Sequence, residues 1–144
     1  MEYLDGTMYL LRGRAETGEL TVVATISGLP GGYPTGLEHA GDRLYATSDA
    51  TPGLLEIDPS SGVVTLVGGD AVAWDLDYGR DRVLRGTVPG ARKISAIDTA
   101  TGVATDMTTL SVNYLLGIAS GVGMQGQPAP TVLSIAPPRG AAGS

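Results

Sequence analysis

A repeat of about 40 residues is the feature that most restricts how this chain can fold. Residues 54–67, LLEIDPSSGVVTLV, are echoed 40 residues later by residues 94–107, ISAIDTATGVATDM. A fainter copy, LLRGRAETGELTVV at residues 10–23, stands 44 residues before the first. Internal repeats of this length are typical of propellers, solenoids and other arrays in which one small unit recurs.

The turn inside each copy contains residues that explain why it recurs. Asp58 and Asp98 can accept hydrogen bonds from the backbone amides that follow them, and Pro59 fixes one backbone angle. Gly62 and Gly102 supply the left-handed conformation that closes a hairpin. Calcium prefers about six to eight oxygen ligands, so a single carboxylate per turn favours a structural role.

A second hairpin precedes the first in each unit. Residues 36–47, GLEHAGDRLYAT, align with residues 75–86, DLDYGRDRVLRG, at an offset of 39. Each unit therefore contains four short strands, which in the first full unit lie near residues 37–39, 43–47, 54–57 and 63–67. Apolar residues at helical spacing are interrupted by Gly or Pro throughout the chain. The sequence predicts an all-β fold of antiparallel, four-stranded blades of the β-propeller type.

The predicted blades occupy residues 1–120. Asp5-Gly6 is a strong hairpin signal, so the leading unit is expected to be a partial blade of three strands. Tyr114, Gly117 and Ile118 match Tyr33, Gly36 and Leu37 at a common offset of 81, which predicts the first strand of another blade. The predicted parts are a partial blade at 1–32, blades at 33–70 and 71–112, the start of the next blade at 113–120, and a linker at 121–130.

About three blades is fewer than the four to eight that close a propeller. We therefore expect an incomplete propeller with open sheet edges. Such edges are met by the remaining blades of a longer parent chain or by self-association.

Composition narrows the range of partners. The formal charge is −6, from 15 acidic and 9 basic residues, which gives no cationic surface for nucleic acid. The absence of cysteine excludes disulfides, thiolate nucleophiles and cysteine-based zinc sites. The first residues, MEYLDGTMYLL, lack the pattern of a signal peptide, so either the protein stays inside the cell or its export signal lies outside this chain. No apolar run approaches the ~20 residues of a membrane-spanning helix. We expect neither nucleic-acid binding nor membrane insertion.

The phrase LYATSDATPGLLEIDPSSGVVTLVG gives residues 35–69 a resemblance to bacterial propellers of the NHL and YncE-like groups, and residues 73–106 share it more weakly. The resemblance implies the propeller fold. It implies little about ligand, because such propellers include scaffolds, surface proteins and enzymes.

The last residues resemble a different family. Residues 131–144 are similar to the first strand of an IPT/TIG immunoglobulin-like domain, a resemblance carried by Val132, Ser134, Ile135, Pro137 and Gly140. It implies a truncated domain and a modular parent protein that is extracellular or at the bacterial cell surface. An intracellular interaction platform stays open as an alternative.

Three carboxylates are the candidate binding residues. Asp75 and Asp77 are two apart on a strand predicted to begin at Trp74, and Glu38 matches Asp77 one blade earlier. If these acids line a central channel they could hold a cation such as calcium. Propeller lactonases and related hydrolases use such channel-facing metal sites, so the enzymatic hypothesis is a metal-dependent hydrolase. His39, the only histidine, cannot build a metal site alone.

No catalytic set is recognisable beside these acids, since no G-x-S-x-G motif is present. The leading prediction is a non-enzymatic scaffold or binding module for protein or carbohydrate, without a cofactor. The alternative is the metal-dependent hydrolase. An aromatic platform for a sugar or peptide is a further candidate, formed by Tyr33, Trp74, Tyr78 and Tyr114.

Overall fold

The structure is a computed structural model that describes residues 2–4, 7–88, 90–112 and 118. The described residues form eleven β-strands and no helix, and thus no helix that could span a membrane. The strands are β1 Glu2–Leu4, β2 Thr7–Gly13, β3 Leu20–Thr25, β4 Pro34–Ala40, β5 Arg43–Ser48, β6 Leu54–Ile57, β7 Val64–Gly68, β8 Leu76–Tyr78, β9 Leu84–Val88, β10 Lys93–Ile97 and β11 Ala104–Thr109.

The strands build three antiparallel sheets, each of which follows chain order. Sheet I contains β1 to β3, sheet II contains β4 to β7, and sheet III contains β8 to β11. The predicted all-β, antiparallel class is confirmed. Sheet I aligns through β2 and β3 with the last two strands of the other sheets, so among the described residues it has no counterpart of β4 and β8.

One irregularity recurs at the same place in each sheet. The register between the last two strands shifts so that one residue is left out of the pairing, and this residue is Val23 in sheet I, Val67 in sheet II and Met107 in sheet III. These β-bulges are separated by 44 and 40 residues, the offsets of the sequence repeat. Bulges bend a strand locally and re-aim a side chain, so the repeat encodes the same bend three times.

Sheet II is packed on both faces. Along β5, Leu44 and Ala46 join a core cluster shared with sheet I, while Tyr45 between them joins a cluster shared with sheet III. This is the alternation expected of a strand buried on both sides. The whole of β5 after Arg43 is therefore buried.

In sheets II and III, the hairpin turn of the repeat touches the preceding sheet. Gly62, at φ 73°, lies against the carbonyl of Thr25 at the end of β3, and Gly102, at φ 72°, lies against Gly68 at the end of β7. A Cβ at either glycine would lie less than 3.0 Å from that backbone. Gly18 has the same conformation, at φ 69°, with nothing within 4 Å of a Cβ.

Hydrogen bonds join the sheets at the same turns. The Ser27 amide donates to the Gly62 carbonyl at 3.0 Å, and the Val64 amide donates to the Ser27 carbonyl at 2.8 Å. At the next junction the Ala104 amide donates to Asp70 Oδ1 at 3.0 Å. Both junctions therefore involve the residues at the start of the last strand of a sheet.

Several predictions fall on residues outside those described. Of the predicted start of a further blade at 113–120, only Ile118 is described. The linker at 121–130 and the IPT/TIG-like strand at 131–144 lie wholly outside the described residues.

Candidate functional site

The candidate carboxylates lie on the first strands of two neighbouring sheets. Glu38 is on β4, Asp77 is on β8, and these two strands pack against each other. Asp75 lies just before β8, which begins two residues later than predicted. The strand begins later because its pairing with β9 is irregular here. The Trp74 amide donates to the Thr87 carbonyl at 2.9 Å, and the Thr87 amide donates to the Asp75 carbonyl at 3.1 Å.

Glu38 lies in an environment that disfavours its charge. Its pKa is raised, chiefly because burial removes water from the carboxylate and next because Asp77 is nearby. Asp75 adds to this effect, while His39 opposes it. The charges of Asp77 and Asp75 therefore act on Glu38 across the contact between β4 and β8.

The two aspartates are held by different partners. Asp75 accepts a hydrogen bond from the Leu76 amide at 3.0 Å through Oδ1, and one from the Ile118 amide at 2.8 Å through Oδ2. Asp77 is buried and lies directly opposite Arg85 in the pairing of β8 with β9. Arg85 itself donates to Asp81 at 3.1 Å, and this bond raises the pKa of the guanidinium.

The carboxylates do not converge on one point. Leu76 packs into the core between sheets II and III, so the alternation of the strand turns Asp77 toward the opposite face of sheet III. Glu38 and Asp77 occupy equivalent positions of β4 and β8, which are in contact. Among the residues the structure describes, no group of three His, Asp or Glu side chains could hold a metal ion.

Two aromatic side chains are exposed at one end of the same strands. Tyr33 directly precedes β4 and is 63% exposed, while Trp74 precedes β8 and is 47% exposed. Tyr78 instead packs against the core between sheets II and III, and Tyr114 lies outside the described residues. Of the four aromatic residues predicted to form a platform, only Tyr33 and Trp74 are exposed among those that the structure describes.

The loop that carries Tyr33 is anchored by residues that sequence reasoning did not single out. Asp49 accepts from the Tyr33 amide at 2.7 Å through Oδ1, and its own amide donates to the Tyr33 carbonyl at 3.1 Å. Ser48 donates through Oγ to the Gly31 carbonyl at 2.9 Å. The only sequence signal was a Ser-Asp pair after a strand, which is common in turns.

Two threonines fix the segment before Trp74. Thr35 and Thr47 both donate through their hydroxyl groups to the Ala73 carbonyl, at 2.5 and 3.0 Å. Thr47 is fully buried. Side-chain hydrogen bonds from sheet II therefore fix the segment that precedes β8, and this positions Trp74 relative to β4.

Comparison with protein-family models, with curated proteins and with solved structures gave no match.

Proposed function

We propose that this chain is a non-enzymatic repeat scaffold of the β-propeller type, acting as a binding module of a secreted or surface-exposed bacterial protein. The observation that carries the proposal is the repeated stacking of sheets I, II and III, with the same bulge and the same glycine turn at each unit. Stacked four-stranded meanders whose first strands lie side by side are the arrangement of propeller blades. The extracellular part rests on the IPT/TIG resemblance alone.

The binding surface proposed for this module is the end of the stack that carries Tyr33 and Trp74. Exposed aromatic rings supply flat apolar faces, and nearby polar groups give hydrogen bonds, which together suit the rings and hydroxyls of a carbohydrate. The loop around Tyr33 is tied down by Asp49, so less ordering entropy is lost on binding. A protein ligand is the second class that such a surface accepts.

The carbohydrate proposal can be tested through the single tryptophan of the chain. Trp74 emission would be followed while neutral oligosaccharides, such as chito- and cello-oligosaccharides, are titrated into the full chain. We expect a saturable shift, and we expect Trp74→Ala to lose the binding heat in calorimetry. Val72→Ala is the matched control, because Val72 is exposed on the same segment. Equal binding heat in Trp74→Ala and the parent chain would refute this surface.

The metal-dependent hydrolase has less support from the geometry. Its proposed ligands, Glu38, Asp75 and Asp77, lie on two sheets, and Asp75 already accepts two backbone hydrogen bonds. If calcium does bind there, it should raise the melting temperature, and Asp75→Asn should abolish that rise. A melting temperature that is indifferent to calcium favours the scaffold.

A further inference from the structure

The two ends of the sheet stack present the two halves of the contact that joins its sheets internally. In the contact between sheets II and III, sheet II contributes its bulged residue, Val67, and the first residue of its third strand, Leu54. The facing sheet offers the start of its last strand and the glycine turn before it, namely Ala104 and Gly102.

Sheet I carries an exposed copy of the surface that sheet III contributes to this contact. Leu20 corresponds to Val64 and Leu11 to Leu55 by the 44-residue offset. Val64 and Leu55 are buried against sheet I, whereas Leu20 is 66% exposed. The turn residue Gly18 is likewise open, although its counterpart Gly62 is pressed against a neighbouring strand.

Sheet III carries an exposed copy of the surface that sheet II contributes to this contact. Met107 corresponds to Val67, and Ile94 corresponds to Leu54, by the 40-residue offset. Val67 packs on the core between sheets II and III and Leu54 is fully buried in it, whereas Met107 is 50% exposed and Ile94 is only partly buried. Within the described part of the chain, each end thus lacks the partner that the other end supplies.

We infer that the outer face of sheet III binds the outer face of sheet I in a second copy of this chain, head to tail. A second copy is favoured over closure of one chain on itself, because the three sheets of the described residues are fewer than the four to eight that close a ring. Two copies bring six sheets, which lies inside that range. A head-to-tail contact that closes gives a discrete dimer in place of an open filament.

The position of Ile118 supports the same partner. Its amide bonds to Asp75 beside the first strand of sheet III, and in sequence it matches Leu37 on the first strand of sheet II. Sheet I is the one sheet described that lacks a first strand. The residue that matches a first strand therefore lies at the end of the stack where sheet I of the second copy would dock. The inference concerns assembly and does not depend on the carbohydrate proposed above.

The test is the mass of the full chain in solution, measured by light scattering coupled to gel filtration and by sedimentation. We expect a reversible dimer with twice the 14.6 kDa mass of the chain. Leu20→Glu and Met107→Glu should each raise the dimer dissociation constant by at least about tenfold, because each places a charge in an apolar contact. Leu66→Glu is the matched control: Leu66 is 50% exposed like Met107 but lies on sheet II, so the dimer should persist.

Mixing the two variants distinguishes this arrangement from a dimer that pairs like faces. A Leu20→Glu chain keeps an intact sheet III face, and a Met107→Glu chain keeps an intact sheet I face. An equimolar mixture should therefore associate more strongly than either variant alone, through one undamaged contact. In a dimer that pairs like faces, the mixture should associate no more strongly than its components.

Three results would overturn the inference. They are a monomeric parent chain at every concentration, a dimer that all three variants leave unchanged, and a mixture that associates no better than its components. In the first case the faces belong to another occupant, either further repeats of a longer chain or the residues after 112. Circular dichroism of each variant checks that its sheets are intact.

Discussion

Replacing the turn glycines by alanine should separate two roles that the sequence repeat combines. Gly18, Gly62 and Gly102 have φ of 69°, 73° and 72°, so alanine suffers the same backbone strain at each. That strain costs about 1–2 kcal/mol. At Gly62 and Gly102 the new Cβ would also lie under 3.0 Å from the preceding sheet, where ordinary contact begins at 3.4 Å.

The second cost is one of overpacking, because the obstacle is backbone and cannot swing aside. Overpacking typically adds about 1–3 kcal/mol. We therefore expect the free energy of unfolding to fall by about 1–2 kcal/mol in Gly18→Ala and by about 2–5 kcal/mol in Gly62→Ala and Gly102→Ala. For a chain of this length, 1 kcal/mol corresponds to about 4 °C in melting temperature.

Urea unfolding followed by circular dichroism measures all three variants on one scale. Gly18→Ala is the internal control, since it carries the same strain without the neighbouring sheet. An equal loss of stability in all three variants would refute the reasoning, because it would mean that these glycines serve only their own turns. A larger loss in Gly18→Ala than in the other two would refute it as well.

Three further outcomes are expected. Hydrogen bonds from Ser60 and Ser61 lower the pKa of Asp58 to about 2, so its contribution to stability is present above its unfolded pKa and is lost as the pH falls toward 2; Asp58→Asn should flatten acid unfolding curves in that range. Burial raises the pKa of Glu38, so the ionised form is destabilising; Glu38→Gln should raise the melting temperature at pH 7, and the gain should vanish in acid, as paired melts at the two pH values would reveal. Thr47→Val should lower the free energy of unfolding by about 1 kcal/mol in urea titrations, through the lost bond to Ala73, and an unchanged value would mean that Thr35 satisfies that carbonyl alone.

The local structure of each repeat could be predicted from the sequence because local chemistry determines it. Asp58 accepts from the Ser60 and Ser61 amides, and Asp98 accepts from the Ala100 and Thr101 amides, as the turn pattern predicts. The predicted strand at residues 54–57 has those bounds in the structure. Alternation and turn residues act over a few positions, and a single sequence displays both directly.

The contacts between sheets could not be predicted in the same way. Nothing in the local sequence tells Gly18 from Gly62, although one turn is open and the other touches a backbone. The bulges at Val23, Val67 and Met107 were missed too, because an extra residue in a strand leaves the apolar pattern nearly intact. Such features depend on which neighbour each face meets, and that is set by the order of the units.

The candidate carboxylates were found from the sequence repeat, and the metal site that was considered for them stays a prediction. The offset of 39 places Glu38 and Asp77 at equivalent positions of successive sheets, and both lie on first strands. These two strands are in contact, and the charge of Asp77 contributes to the raised pKa of Glu38. Repeating acids therefore form a line or ring of charge that follows the stack, and a metal site needs additional ligands from loops that break the repeat. We propose the exposed Trp74 and the loop around Tyr33 as the positions where a ligand is recognised.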